Sequence, residues 1–340
     1  MEWYKNDGKA KDVVISTRVR FARNLSRYPF ASKLSEKDAG DIIATLRASL
    51  TDAEGFEFTD MSTLGTLEAR SMCERHYISA EFAAKKSPHA FIAKKDKDLS
   101  IMVCEEDHLR IQCLKSGLAI QEAFDEAFAL ERQLDRDLEF AFNDRLGYLT
   151  HCPTNLGTAM RVSVMLFLPA ITMFGRIEGL KFQLQKLGLA VRGMYGEGSD
   201  PTGSIYQISN RETLGISEEE TLKKLTEITS QIIAEERKLR LSLSDGDREE
   251  ILDRAARARG IMLYSRKLSS AELINFYSQL RLGMSLEEAG DGEYSPIDRL
   301  LFEAMPASIA LSLSDGEAAS DRARDARRAA VVREALSAEA

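Results

Sequence analysis

The chain is 340 residues long and 44% hydrophobic, enough for a substantial core in two domains or one large one. A formal charge of −8 argues against broad nucleic-acid binding, and no apolar run approaches the length needed to cross a membrane. Cys73, Cys104, Cys113 and Cys152 show neither metal-type spacing nor a pairing pattern, and the polar residues 1–5 carry no signal peptide, so a reducing, cytoplasmic setting is expected.

Val13, Val14 and Ile15 read as a buried strand that runs into Ser16-Thr17-Arg18-Val19-Arg20. Alternation puts Arg18 and Arg20 on one face of it. They are either spaced charges on a solvated edge or two guanidinium forks aimed at one polyanion. Residues 35–50 read as an amphipathic helix with Ile42, Ile43, Leu46 and Leu50 as its stripe and Ser35 or Asp38 as its cap. A second helix is expected over 67–85. It contains His76, and a lone histidine on a helix is more often structural than functional. Strands are expected at 90–93, 99–104 and 109–114. Between the last two stands Glu105-Glu106-Asp107-His108. Three successive acids are costly if desolvated together, so charge alone makes this a solvent-facing turn.

Residues 118–140 read as a long helix. Then comes His151-Cys152-Pro153-Thr154-Asn155-Leu156-Gly157-Thr158-Ala159-Met160-Arg161, a turn built from Pro153, Asn155 and Gly157 between a cysteine and an arginine. Taken alone, it could be a loop with an inert buried cysteine. A strand over 162–168 and a helix over 169–187, opened by Pro169, follow. A strand from Leu189 enters Arg192-Gly193-Met194-Tyr195-Gly196-Glu197-Gly198, which is neither a Walker loop nor Gly-x-Gly-x-x-Gly. Residues 203–209 return as a strand. Ser217-Glu218-Glu219-Glu220 caps a helix whose period is kept by Leu222, Leu225, Ile228, Ile232 and Leu239. Ser244-Asp245-Gly246 breaks it and divides the chain into 1–243 and 244–340. Helices are expected beyond at 247–259, 269–282, 296–303 and 317–336. In the last, Arg324 and Arg328 stand at i and i+4 beside Asp325, ordinarily a solvated face.

The run from Cys152 to Thr158 resembles the Cys-Pro-Ser/Thr-Asn-Leu-Gly-Thr signature of the phosphagen (guanidino) kinases, and other segments match that family in turn. The resemblance implies an α+β fold: an antiparallel sheet flanked by helices over 1–243, then a helical domain over 244–340. It implies ATP as phosphoryl donor and Mg2+ held mainly by the nucleotide, with no protein metal site. Ser16, Thr17, Arg18, Val19 and Arg20 match the element that grips ATP phosphates, and His76 matches a histidine bordering the nucleotide. Glu106 matches the glutamate that holds the guanidinium and Arg110 a phosphate contact, with Cys104 where an asparagine is usual. Arg161 and Arg192 match further phosphate-binding arginines, with Val162, Ser163, Val164 and Met165 after the first and Gly193, Met194, Tyr195 and Gly196 after the second. Glu197 matches a second guanidinium-holding carboxylate, which creatine kinases lack, so it points to arginine as acceptor. Cys152 is implied to act as a thiolate that tunes the guanidinium.

Two departures from the small-molecule members shape the expected function. Only fifteen residues precede Ser16, where those kinases carry a helical domain that closes over the substrate. An open acceptor site, wide enough for an arginine on a protein, is therefore expected. At the other end about a hundred residues are added, and their Arg-Asp-x-x-Arg-Ala resembles the phosphoarginine-binding motif of the bacterial protein-arginine kinases, implying that role for Arg324, Asp325 and Arg328. The expected activity is ATP-dependent phosphorylation of protein arginines, marking proteins for quality control or degradation. Expected partners are proteins with exposed arginine, an activating adaptor, a Clp-type protease and a second copy in a homodimer, but neither nucleic acid nor membrane. The alternatives are a small-molecule arginine kinase and a non-catalytic phosphoarginine reader.

Overall fold

The computed structural model describes residues 2–50, 55–96, 98–194, 201–287, 291–314 and 320–337. Its strands are β1 (Val14–Arg23), β2 (Phe56–Asp60), β3 (Ala90–Lys94), β4 (Leu99–Val103), β5 (Leu109–Ser116), β6 (Phe142–Asn143), β7 (Gly147–Tyr148), β8 (Met160–Phe167), β9 (Leu189–Arg192) and β10 (Ile205–Asn210). Eight of them form one antiparallel sheet in the order β2-β3-β4-β5-β1-β8-β10-β9, and β6 and β7 make a separate small hairpin. The helices are α1 (Glu36–Leu50), α2 (Thr66–Glu74), α3 (Ala80–Ala84), α4 (Ile120–Leu138), α5 (Pro169–Met173), α6 (Ile177–Lys186), α7 (Glu218–Leu241), α8 (Asp245–Tyr264), α9 (Ser270–Glu287), α10 (Ser295–Asp298), α11 (Leu300–Glu303), α12 (Pro306–Ala310) and α13 (Asp321–Ser337). This is the α+β architecture that the resemblance implied, with a helical C-terminal region.

Period-two alternation sorts the sheet's residues onto two faces. Val19, Phe21, Ile111, Cys113, Val162 and Val164 face one way and are buried with Ile42 and Leu46 of α1, Ala123, Ala127 and Leu130 of α4, and Leu225, Ile232 and Ile233 of α7. The other face is divided. Phe91, Met102, Leu114, Met165 and Phe167 lie in a second apolar cluster with Leu273, Tyr277 and Leu280 of α9 and with Phe302 of α11. Each fully buried side chain of this size stabilises by about 1.5–3 kcal/mol, so the C-terminal helices are bound to the sheet by many such terms. The uncovered part of that face carries the arginines.

Caps explain where the helices start. Asp38 N–H donates to Ser35 Oγ at 3.1 Å, and Glu220 N–H to Ser217 Oγ at the same distance in a complete capping box. Ser244, expected as a breaker, is the N-cap of α8, accepting from Asp247 N–H at 3.2 Å. Three expected helices prove interrupted. The one over 67–85 stops at Glu74 because His76 adopts a left-handed φ of 62°, and Ser79 then caps α3. The one over 169–187 breaks at Gly175, φ 67°, between α5 and α6. The one over 296–303 is two short pieces, α10 and α11. The start expected at 317 lies outside the described residues, and α13 begins at Asp321. Strand β2, the β6–β7 hairpin and α12 were not anticipated. Among the described residues no helix is long and apolar enough to cross a membrane.

Candidate active site

The register of the central strands brings the arginines together. Arg20 of β1 stands opposite Arg161 of β8 and Gln112 of β5, Ala22 stands opposite Arg110, and Arg18 stands opposite Ser163. Arg18, Arg20, Arg110, Arg161 and Arg192 all line one cavity of about 740 Å³, with His76, Glu105, Glu106 and Cys152 on its walls. Among the described residues neither Arg18 nor Arg20 forms an ion pair, and the buried Arg18 Nε has no hydrogen-bond partner there. Burial, then the charges of Arg110 and Arg161, pushes the Arg18 guanidinium down to about 10. Burial and the same neighbours, with Arg18, lower Arg20 as well. An anion placed among them would relieve that repulsion and satisfy the donors, which is what a polyphosphate supplies. His76 is buried, and burial together with Arg18 and Arg20 pushes it down to about 3, so it is neutral at pH 7.

The acidic turn after β4 is not the solvent-facing turn that its charge suggests. Its residues divide the work. Glu105 is buried, accepts from Ser79 Oγ at 2.5 Å, and has Arg110 Nη1 2.8 Å from both carboxylate oxygens. Asp107 is 1% exposed and accepts from Asn24 Nδ2 at 2.6 Å and from the His151 N–H at 2.7 Å, tying the turn to the start of the cysteine loop. His108 accepts from the Leu25 N–H through Nδ1 at 3.0 Å, which leaves its Nε2–H to donate to Pro29 O at 2.9 Å. Of the turn's carboxylates on the cavity wall Glu106 is the more exposed, its side chain 37% exposed against 5% for Glu105, and it lies 3.3 Å from Arg110 Nη2. Burial, with Asp107 and Glu105 beside it, raises Glu106 against the opposing pull of Arg110. Cys104, φ 61°, opens the turn, and Lys85 Nζ donates to its carbonyl and, at 2.8 Å, to that of Glu105.

The cysteine loop is held by backbone stacking. Gly157 has φ 99°, and a Cβ there would sit 2.0 Å from Thr213 O; Gly147 abuts Gly157 in the same way. Only glycine fits. The Thr158 N–H donates to Thr213 O at 2.9 Å, and Thr213 Oγ1 to Thr154 O at 3.1 Å. Cys152 ends up half-buried at the cavity wall, its Sγ 3.0 Å from Thr154 Oγ1. Beneath the loop Arg23 is buried, 2.7 Å from Glu131 and under the Tyr148 ring at 3.4 Å.

Several residues assigned by resemblance do not reach the cavity. Val19, Val162 and Val164 lie in the core on the opposite face, and Met165 and Met194 lie in the cluster under the C-terminal helices. Thr17 is buried and donates to Gly117 O at 2.6 Å. Ser16 and Ser163 are buried as well, and Gly193 also sits inside the chain. A continuous motif in a strand shows only alternate side chains to a ligand. Tyr195, Gly196 and Glu197 lie outside the described residues. Ser79, Lys85, Glu105, Gln112 and Gln207 also line the cavity and were not singled out. Gln112 was legible as the residue two beyond Arg110 on the same strand face, whereas nothing local marks Ser79 or Lys85. Among the described residues no cluster of His, Cys, Asp and Glu is arranged to hold a metal ion.

The C-terminal motif also departs from expectation. Arg324 and Arg328 do not stand together on an exposed helix face. Arg328 is 2% exposed and donates to Ala304 O and Leu268 O at 2.8 Å each and to Asp325 Oδ1 at 2.7 Å. Two loop carbonyls that would otherwise be unpaired draw it inward. Arg324 pairs with Asp321, and Asp325 keeps a partly exposed carboxylate.

Residues 39–239 match the family model of the ATP:guanido phosphotransferase C-terminal catalytic domain, and residues 248–340 match that of the protein-arginine kinase McsB C-terminal domain. A protein-arginine kinase of Pelotomaculum thermopropionicum is 39% identical over 90% of this chain and 88% of its own. One from Desulforamulus reducens is 38% identical over 98% and 95%. Among solved structures, a lombricine kinase superposes with a TM-score of 0.62 at 22% identity, covering 71% of this chain and 70% of that one. A duplicated taurocyamine kinase from Schistosoma mansoni gives 0.61 at 23%, covering 69% of this chain and 34% of that one. These two share the fold. The match to both family models and the near-full-length identity go further, and with an arginine-floored cavity beside the partly exposed Glu106 carboxylate they lead to one statement: the chain belongs to the protein-arginine kinases of the ATP:guanido phosphotransferase family.

Proposed function

We propose that Arg18, Arg20, Arg110, Arg161 and Arg192 bind the triphosphate of ATP and that Glu106 prepares an arginine side chain of a polypeptide to receive the γ-phosphoryl group. The observation that carries this reading is a single cavity lined by five arginines, of which Arg18 and Arg20 form no ion pair among the described residues, next to the partly exposed carboxylate of Glu106. A guanidinium is protonated at neutral pH and is a poor nucleophile. Glu106 aligns one terminal nitrogen and accepts its proton as the N–P bond forms. The bond between the γ-phosphorus and the β–γ bridging oxygen breaks, and the electron pair leaves on ADP. The arginines offset the charge on the equatorial and leaving oxygens. Glu197 is the second carboxylate of the clamp in this reading, and Cys152 tunes the guanidinium from the cavity wall. Mg2+ would travel with the nucleotide phosphates, because Arg110 engages both Glu105 and Glu106, the carboxylates beside the arginines.

The division at 243 fits this assignment, with 1–243 catalytic and 244–340 binding phosphoarginine through Asp325 and Arg324, backed by Arg328. Protein substrates are the acceptors. An activating adaptor, a Clp-type protease and a homodimer complete the proposed setting, in the cytoplasm. Incubation with ATP and an arginine-bearing protein, with phosphosites mapped without acid, is expected to give an acid-labile P–N product. Acid-stable phosphate on Ser, Thr or Tyr as the main product would refute the reading. Equal transfer to free L-arginine would favour a small-molecule kinase. For the second site, calorimetry with free phosphoarginine, the active site blocked by an ATP analogue, is expected to show binding by the wild type. Asp325→Ala should weaken it, and equal binding by both proteins would leave α13 as scaffold.

A further inference from the structure

Arg110 holds two carboxylates at once, and not equally. Its Nη1 lies 2.8 Å from both oxygens of Glu105, a side chain only 5% exposed. Glu105 is itself fixed by the Ser79 hydroxyl at 2.5 Å and by Lys85 on its backbone carbonyl. The other nitrogen, Nη2, reaches Glu106 at a long 3.3 Å, and Glu106 is the exposed partner. The fork therefore has a tight buried anchor and a loose outer contact. Arg18, Arg20 and Arg161 lie around the same cavity, and the charge of Arg110 acts on both Arg18 and Arg20. A polyphosphate drawn in by these groups competes with Glu106 for Nη2.

We propose that Glu105 is a positioning residue that anchors Arg110 so that its free nitrogen exchanges Glu106 for nucleotide phosphate, and that this exchange unmasks Glu106 for the acceptor arginine. This rests on the assignment of Glu106 as the guanidinium-holding carboxylate. While Nη2 occupies Glu106, an incoming guanidinium meets a carboxylate already paired and a like charge beside it. Once Nη2 turns to phosphate, the carboxylate is free and the charge next to it is neutralised. Nucleotide and acceptor then favour each other's binding, and the coupling is reciprocal.

The test is calorimetric titration of an arginine-containing peptide, with and without an ATP analogue bearing a β–γ nitrogen bridge. The wild type is expected to bind the peptide about 10-fold more tightly with the analogue, within the usual range of such couplings. Arg110→Ala should bind the peptide more tightly than the wild type when no nucleotide is present, and should show little further gain with it. Arg110→Lys keeps the charge but cannot divide a planar fork between two partners, so it should lose the coupling as well. Glu105→Gln should weaken the coupling and Glu105→Asp should restore part of it, a pattern that a purely structural role would not give. Arg18→Ala removes the same charge without touching Glu106. If it raises nucleotide-free peptide affinity as much as Arg110→Ala does, general repulsion explains the effect and the exchange is overturned. Peptide affinity in wild type that ignores the analogue also overturns it. Glu106→Gln separates the two levels. If peptide binding in the analogue complex is insensitive to it, the assignment of Glu106 itself falls. If binding is sensitive to it but Arg110→Ala keeps the wild-type coupling, only the exchange falls.

Discussion

Glu106→Gln is expected to cut turnover by about 10²-fold or more, the usual contribution of a positioned general base, while the protein still folds and binds ATP. The substitution keeps the shape and removes the proton acceptor. Among the described residues Glu106 makes a single ion pair, to Arg110 at 3.3 Å, and it lines the cavity, so its loss leaves no buried group there stranded. Arg110 keeps its tighter bond to Glu105. The pH dependence gives a second reading of the same group. Burial raises Glu106 above the ordinary carboxylate value of 4.5. A base must be deprotonated to act, so activity is lost as pH falls through this raised value, and the acid limb of kcat/KM, which reports the free enzyme, should lie above 4.5. Rates measured across pH on wild type and Glu106→Gln check both points. A variant that turns over normally, or whose acid limb is unchanged, would remove Glu106 from the chemistry. Cys152→Ala in the same assay should slow transfer while leaving that limb in place.

The catalytic face was legible because its information is periodic. Arg18 and Arg20 are two apart in a strand, and strand alternation alone places them together. That Arg161 stands opposite Arg20 is a matter of register, fixed by contacts between distant strands. The same periodicity corrected the motif from within: Val19 stands between Arg18 and Arg20 and Val162 and Val164 follow Arg161 in sequence, yet all three face the other way in space. The acidic turn misled on charge alone, since Glu105 and Asp107 are buried by partners 26 and 83 residues away in sequence, Ser79 and Asn24. His76 ends α2 in a left-handed conformation that no helical period announces. Arg328 shows the opposite limit. Its i, i+4 relation to Arg324 is real, but two carbonyls from other segments claim it. Short-range pattern reads which residues share a face, whereas the partner that buries a charge comes from elsewhere in the chain.

Arg281→Ala is expected to destabilise the protein by about 3–5 kcal/mol, the cost of leaving a buried partner charge unpaired. Arg281 of α9 is fully buried between the rings of Phe167 and Tyr294, at 4.9 and 4.7 Å. Its Nε and Nη2 hold Asp298 at 2.8 and 3.0 Å, while Nη1 and Nη2 donate to Asp12 O at 2.9 Å and Lys11 O at 2.7 Å. Burial works against its charge, and Asp298 more than offsets this, so the guanidinium stays above the ordinary arginine range. Removing it leaves Asp298 with the Tyr277 hydroxyl and takes one donor from each of two carbonyls just before β1, of which Asp12 O keeps Arg240 at 3.2 Å. The fall in melting temperature should be roughly 5–10 °C for a chain of this size. Arg281→Met combined with Asp298→Leu removes both charges, and should recover part of the loss, since an apolar pair of similar volume replaces a buried ion pair at little cost. If the double variant melts no higher than Arg281→Ala, the lost carbonyl bonds rather than the stranded carboxylate carry the effect. The consequence reaches the active site, because Lys11 and Asp12 lead into the strand that carries Arg18 and Arg20. Loosening that lead-in should raise the KM for ATP at temperatures where the protein is still folded. An unchanged KM would mean that the C-terminal helices stabilise the sheet without setting the position of its arginines.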